Sequence, residues 1–170
     1  MSQQHFRDVS PEAPELLPIL SGLFAFYASR YGDFFRNNQE EERTEWYLPP
    51  RGLFIVLERD GEIIAMGAYK PFDEETAELK RIWTRSDLRR QGLALRVVQE
   101  LERRALRAGY RRLYLTTGFR QPEAVHLYSS FGYQPQFDPS GDLERYGQPP
   151  YDGRLRFTKV IDVNRVAQAS

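Results

Sequence analysis

The chain has 170 residues and no cysteine. That excludes disulfides, thiolate metal sites and a cysteine nucleophile, while leaving the compartment open. Histidine is nearly as scarce: His5 and His126 stand far apart in sequence, so a zinc site is not expected and no metal is assigned. The formal net charge is +0, which removes any bulk attraction to nucleic acid. The longest apolar stretch, Leu16 to Tyr27, is interrupted by Pro18, Ser21 and Gly22 and is too short to span a bilayer. Residues Met1 to Ser10 are polar and lack the apolar core of a signal peptide. No repeat or low-complexity segment is visible. These absences read together as a cytoplasmic protein with neither nucleic acid nor membrane as a partner.

What is present fits one globular domain. Hydrophobic content of 41% and charged content of 28% are ordinary, and the chain is long enough to bury a core. The charges are unevenly spread. Lys80 to Arg112 is crowded with arginine, whereas Gln39 to Arg43 and Asp73 to Glu78 are acid-rich. A local basic zone in a neutral protein suits a small polyanion better than a DNA backbone.

Periodicity supplies the elements. His5 to Val9 reads as a short strand. Leu16, Leu20, Leu23, Phe24, Tyr27 and Tyr31 fall at helical spacing, with Pro14 at the start and Gly32 at the stop. Pro18 is tolerable only in the first turn of that helix. Asp33 to Leu48 reads as irregular or as a second short helix. Leu53 to Leu57 and Glu62 to Tyr69 are strands joined by Arg59-Asp60-Gly61, a hairpin signal. Ala77 to Thr84 is the next strand, and Leu93 to Ala108 a helix with Ala94, Val97, Val98, Leu101, Ala105 and Ala108 on its apolar face. Gly109 ends it. Leu113 to Thr117 is a strand, Pro122 to about Phe131 a helix, and Phe131-Gly132-Tyr133 a return to strand. Asp138 to Gly153 is a loop and Leu155 to Ile161 the last strand. The order predicts an α/β (α+β) sheet of mixed direction with helices on both faces, in which the unit from Ala77 to Thr117 is parallel and right-handed.

The most informative stretch is Arg89-Arg90-Gln91-Gly92-Leu93-Ala94, between that strand and the long helix. Backbone N–H groups at a helix N-terminus lack internal partners, and the helix dipole adds partial positive charge there. Gly92 lets backbone approach an anion closely, Ala94 keeps the next turn open, and two arginines add full charges. The alternative is an arginine-rich helix start with an ordinary glycine. It is electrostatically poor, since cations at a helix N-terminus oppose the dipole by about 0.3–1 kcal/mol each. A bound pyrophosphate removes the conflict.

Three blocks in order resemble the GNAT superfamily of N-acetyltransferases. Glu78-Leu79-Lys80-Arg81-Ile82-Trp83-Thr84 is similar to its central strand, and Arg89 to Ala94 to its pyrophosphate signature, (Gln/Arg)-x-x-Gly-x-(Gly/Ala). The segment from Gln121 to Tyr133, with Leu127-Tyr128 and Gly132-Tyr133, is similar to its later helix block. The resemblance implies a single domain over residues 3–165, with a mixed sheet of about six to seven strands whose two central parallel strands splay into a V. It implies acetyl-CoA as co-substrate, its pantetheine arm pairing with backbone near Ile82, Trp83 and Thr84 and its pyrophosphate on Arg89, Arg90, Gln91, Gly92, Leu93 and Ala94. Gln121, Ala124 and Tyr128 complete the cofactor contacts. Gln121 stands where the family often has Asn, and Thr84 where it usually has an aliphatic residue. Many relatives are dimers, so a homodimer is compatible with the resemblance.

Acetyl transfer needs a neutral amine. A lysine-like amine has a pKa of about 10.4, so only about one molecule in a few thousand is neutral at pH 7, and a base is worth about 10²–10⁴ in rate. Glu78 is the candidate base, since some family members keep a catalytic glutamate at the matching position; the alternative is a solvent-facing strand residue paired with Lys80 or Arg81. Tyr128 is the candidate acid that protonates the departing thiolate, a role compatible with its place on the apolar face of Ala124, Leu127, Tyr128 and Phe131. Without cysteine or a Ser-His-Asp pattern, direct attack in a ternary complex is expected, with a backbone N–H where the strand opens stabilising the oxyanion. His126 reads as a surface or structural residue. The run Glu40-Glu41-Glu42 reads as a solvated face, with the weaker alternative that it and Asp33 draw a cationic amine to the cleft. Tyr27, Tyr31, Phe34, Phe35, Trp46 and Tyr47 read mostly as core, in a region that commonly shapes the acceptor pocket in the family.

The leading expectation is therefore an acetyl-CoA-dependent N-acetyltransferase acting on an amine of a small molecule, amino acid or peptide. The alternative is a non-catalytic acyl-CoA-binding or sensor module of the same fold. A nucleotide- or nucleic-acid-associated protein using the Lys80 to Arg112 zone is disfavoured by the neutral net charge.

Overall fold

Continuous buried apolar runs in the second and third strands and a glycine-bearing turn between them build the first half of the sheet. In a computed structural model that describes residues 3–32 and 42–161, β1 (Gln4–Asp8), β2 (Leu53–Arg59) and β3 (Glu62–Pro71) pair in sequence as antiparallel neighbours. Asp60 and Gly61 both take positive φ, 53° and 81°, the backbone of a two-residue primed turn. Between β1 and β2 runs α1 (Leu17–Tyr31), entered from a 3-10 turn at Pro14–Leu16. Pro18 lies in its first turn, where no intrahelical N–H is required, and Gly32 closes it by donating to the Ala28 carbonyl at 2.8 Å. Residues 33–41, including Phe34 and Phe35, lie outside the described residues; Thr44–Tyr47 is a 3-10 turn.

The strand β4 (Thr76–Thr84) is followed by α2 (Leu93–Arg107), β5 (Arg112–Gly118), α3 (Pro122–Ser130), β6 (Gln134–Pro135) and β7 (Arg154–Val160). The sheet has seven strands in the order β1-β2-β3-β4-β5-β7-β6. All registered pairs are antiparallel except β4 with β5, which run parallel over Thr76–Arg112, Ala77–Leu113 and Glu78–Tyr114. This short parallel ladder fits the expected splay. The return after α3 is shorter than expected. Phe131 and Gly132 form a turn, Gly132 at φ 91°, and strand pairing is confined to Gln134–Pro135. The loop from Asp138 to Gly153 carries a 3-10 turn at Leu143–Gly147, capped by the Asp142 carboxylate.

Two compact units partition the chain: Met1–Pro71 with Leu79–Arg104, and Phe72–Glu78 with Ala105–Ser170. In the first, Leu16, Leu23, Tyr47, Phe54, Val56 and Met66 form a core against which Tyr27, Trp46 and Trp83 pack. Most of the aromatic N-terminal third is thus spent on packing, as expected. The apolar face of α2 is buried through Leu93, Val97, Val98 and Leu101, while Arg104 reaches Asp8 on β1. Gly67 on β3 is where this helix and Ile82 come closest. A Cβ there would stand 2.6 Å from a Val97 methyl and 2.8 Å from a Leu101 methyl. Gly67→Ala is therefore expected to destabilise by roughly 1–3 kcal/mol through overpacking, read as a lower urea midpoint at unchanged slope. An unchanged midpoint would show that the helix shifts without cost.

The second unit is built on the β5–β7 ladder, paired from Arg112–Val160 to Gly118–Arg154. Its interior is aromatic: Tyr128 meets Phe131 and Tyr133 edge-on, and Phe157 lies between Tyr128 and Phe137. Among the described residues no helix is long and apolar enough to cross a membrane, and no cluster of potential metal ligands forms.

Candidate active site

The turn between β4 and α2 is shaped by two left-handed residues. After Thr84, Arg85 donates its N–H to the Ile64 carbonyl at 2.9 Å and its guanidinium to Asp87 and Glu62. A 3-10 turn at Ser86–Leu88 then buries Leu88. Arg90 takes φ 66° and Gly92 φ 76°, with Gln91 between them. Left-handed residues in such a turn gather successive N–H groups into an anion-binding concavity. The Gly92 carbonyl accepts the first helical bond, from Arg96 at 3.1 Å, so the N–H groups of Leu93, Ala94 and Leu95 have no intrahelical acceptor. Leu93 is buried and pins the helix start, while Arg89, Arg90, Gln91 and Gly92 are exposed. Among the described residues, neither Arg89 nor Arg90 has a carboxylate within ion-pair distance.

These features meet the test for a diphosphate. A left-handed arginine costs roughly 1–2 kcal/mol, and two like charges crowd the positive end of a helix dipole. A Cβ on Gly92 would meet no protein atom within 4 Å. Packing therefore does not require glycine here; the positive φ does.

The second half of β4 is anchored in the same unit. Ile82 reaches toward Gly67, and Trp83 packs on the core. Arg81 takes φ 60°, left-handed in mid-strand, a sterically disfavoured state for a bulky residue. Lys80 Nζ and Arg81 Nη2 both meet Glu42 Oε1, at 3.1 and 3.3 Å, and the Tyr47 hydroxyl donates to the other carboxylate oxygen. Burial opposes ionisation of Glu42, yet the Lys80 ammonium, the Tyr47 hydroxyl and Arg81 hold its carboxyl below the usual range. The expectation of a solvated acidic face fails at Glu42. Its side chain is only 10% exposed, because two cations and a phenol compensate its desolvation. A carboxylate so neutralised is also a poor attractor for a cationic amine. Glu40, Glu41 and Asp33 lie outside the described residues.

In the second unit Glu78 is 9% exposed, on the buried half of β4 rather than facing solvent. Its register partner across the parallel ladder is Tyr114, whose ring stacks on Phe72 at 4.4 Å. Burial pushes the Tyr114 phenol above its ordinary pKa, Arg156 opposes the shift, and the Glu78 charge adds to it. Tyr114 therefore stays a neutral hydroxyl through the physiological range. Arg156 bonds Tyr114 and is gripped by Asp152 at 2.8 and 3.4 Å. Tyr114, Arg156 and Asp152 were not legible as site residues, because only the parallel register and the β5–β7 ladder place them in this group.

On α3, Tyr128 is buried in its aromatic cluster and Ala124 is half-buried in the first turn. Gln121 precedes the helix, and its Oε1 accepts the Gly118 N–H at 3.1 Å, tying the end of β5 to the helix start. His126 is exposed, as expected.

A short parallel ladder thus lies at the middle of a mixed sheet, and a cationic glycine turn follows its first strand at a helix start. The model of the Acetyltransferase (GNAT) family matches residues 21–133, and the chain belongs to that family. It is 31% identical over 125 residues to human N-acetyltransferase 8, covering 70% of this chain and 55% of the relative. The chain thus spans about half the length of that relative. It is 34% identical over 128 residues to an uncharacterized N-acetyltransferase of Schizosaccharomyces pombe, covering 71% of this chain and 78% of the relative. The same fold occurs in a GNAT family acetyltransferase from Elizabethkingia anophelis solved with acetyl-CoA bound. There the TM-score is 0.59 at 17% identity, over 93% of this chain and 98% of that one.

Proposed function

We propose that the chain, over residues 3–165, is an acetyl-CoA-dependent N-acetyltransferase that transfers acetyl directly to an amine of a small molecule, amino acid or peptide. One observation carries the reading: a left-handed, glycine-bearing turn at 89–94 with two arginines that meet no carboxylate among the described residues, opening onto a helix N-terminus. Family membership and the fold support it.

The chain's residues then divide the work. Acetyl-CoA supplies the acetyl group as a thioester. Arg89, Arg90 and the N–H groups from Gln91 to Ala94 hold the diphosphate, and the backbone of Ile82, Trp83 and Thr84 orients the arm. Glu78, directly or through one water, takes the proton that the amine loses as the N–C bond forms. Tyr128 donates a proton to sulfur as the C–S bond breaks. A coenzyme thiol is about as acidic as free cysteine, ~8.5, so that demand is modest.

Calorimetry and melting curves with acetyl-CoA test the binding half, and thiol release across an amine panel tests turnover. The cysteine-free chain adds no thiol background. A melting gain without thiol release for any amine would leave a binding module; no melting gain and no heat at saturating acetyl-CoA would sink the reading. Tyr128→Phe keeps the ring against Phe131, Tyr133 and Phe157 but removes the acid. Turnover is expected to fall roughly tenfold to a hundredfold with acetyl-CoA affinity little changed. Equal losses in both would place Tyr128 in packing alone.

A further inference from the structure

Lys80 and Arg81 are neighbours in one strand, and neighbouring strand residues ordinarily point to opposite faces. Here both terminate on the same atom, Glu42 Oε1. The left-handed φ of Arg81, 60°, interrupts the alternation at the point where this happens. Strain of this kind persists where the surroundings over-determine it, and it gathers at ligand sites. One cation would neutralise Glu42. Among the described residues, the second leaves a surplus positive charge, with the two side chains only 20% and 19% exposed. The surroundings are aromatic: the Arg81 guanidinium lies 5.1 Å over the Phe24 ring, and Lys70 lies 4.6 Å over Trp46. Low-dielectric walls of this sort strengthen the attraction of a surplus charge for an anion.

We propose that Lys80 and Arg81, steadied by Glu42, form a carboxylate seat for the acceptor, so that the acceptor class is an amine that carries a carboxylate. This rests on the acetyltransferase reading and adds the substrate class to it. The surplus matches a monoanion. The guanidinium plane matches a carboxylate in shape. Glu42 acts as a positioning residue, holding both cations where an amine without an anionic group would find no partner.

The test uses the full chain saturated with acetyl-CoA and matched acceptors: L-phenylalanine, L-phenylalaninamide and 2-phenylethylamine, with L-leucine, L-methionine and their amides as further pairs. Thiol release gives kcat and KM, and calorimetry on CoA-loaded protein gives affinity. The acids are expected to exceed their amides by about tenfold or more in kcat/KM or affinity. The amide's amine is the less basic and more often neutral, so intrinsic reactivity runs against this preference. Arg81→Asn, which tolerates the left-handed backbone, and Lys80→Gln should each collapse the acid-to-amide ratio through KM rather than kcat. A melting gain with acetyl-CoA in both variants certifies that they fold. Amides or decarboxylated amines performing as well as the acids, a ratio unmoved in both folded variants, or a panel in which no acid is bound or acetylated each overturns the proposal. Loss of the wild-type melting gain with acetyl-CoA would instead strike the acetyltransferase reading itself.

Discussion

Gly92→Glu is expected to abolish measurable acetyl-CoA binding, with a loss of roughly a hundredfold or more. A carboxylate placed where a diphosphate must sit brings like-charge repulsion of several kcal/mol, and each 1.4 kcal/mol is about tenfold. The strain of a side chain at φ 76°, about 1–2 kcal/mol, is present with and without ligand and falls on folding instead. The folded protein should tolerate the bulk, because a Cβ at this position meets nothing within 4 Å. The added charge even complements the helix dipole and the flanking arginines. Affinity and stability should therefore part company: titration calorimetry shows no heat, while the melting temperature without ligand falls only by the about 2–8 °C that the strained φ costs. Gly92→Ala carries the strain without the charge and should lose much less. Wild-type affinity in Gly92→Glu would mean that the diphosphate does not rest on this turn.

Glu78→Gln is expected to cost about 10²–10⁴ in kcat near neutral pH, with a loss that shrinks as pH rises. Glutamine matches the buried side chain in size and can keep polar contact beside Tyr114, so the fold should persist. Without a base the variant depends on amine that is already neutral. Its rate should keep climbing, about tenfold per pH unit, toward the acceptor's own pKa, ~10.4 for a lysine-like amine. The wild type should level off earlier, since its carboxylate takes the ammonium proton and supplies neutral amine before attack. Thiol release measured from pH 6 to pH 10 separates the two profiles. Parallel curves at every pH would mean that Glu78 serves the strand and not the proton.

Both residues were visible in the sequence for different reasons. Gly92 announces itself because a glycine behind two arginines at a helix start makes little electrostatic sense without an anion. Glu78 could be named only through the family strand it resembles; residue type and spacing left a surface role equally open. Burial removes the solvent-facing part of that alternative, since Glu78 lies 9% exposed. The Glu40 to Glu42 run shows the opposite failure. Three glutamates in a row look solvated, and nothing local says that one of them will be folded beneath a lysine, an arginine and a tyrosine hydroxyl.

Sequence alone determined the order of strands and helices, the hairpin at Asp60-Gly61, the buried stripe of α2 and the cationic turn. Each depends on periodicity or backbone preference within a few consecutive residues. Tertiary structure alone decided which residues stand beside Glu78, where Lys80 and Arg81 point, and how far the parallel ladder runs. Those outcomes depend on strand register and on one left-handed residue at Arg81, which bring together side chains such as Glu42 and Arg81, 39 positions apart. Local propensity carries no record of such pairings, because burial and charge compensation are settled only once distant segments share the same space.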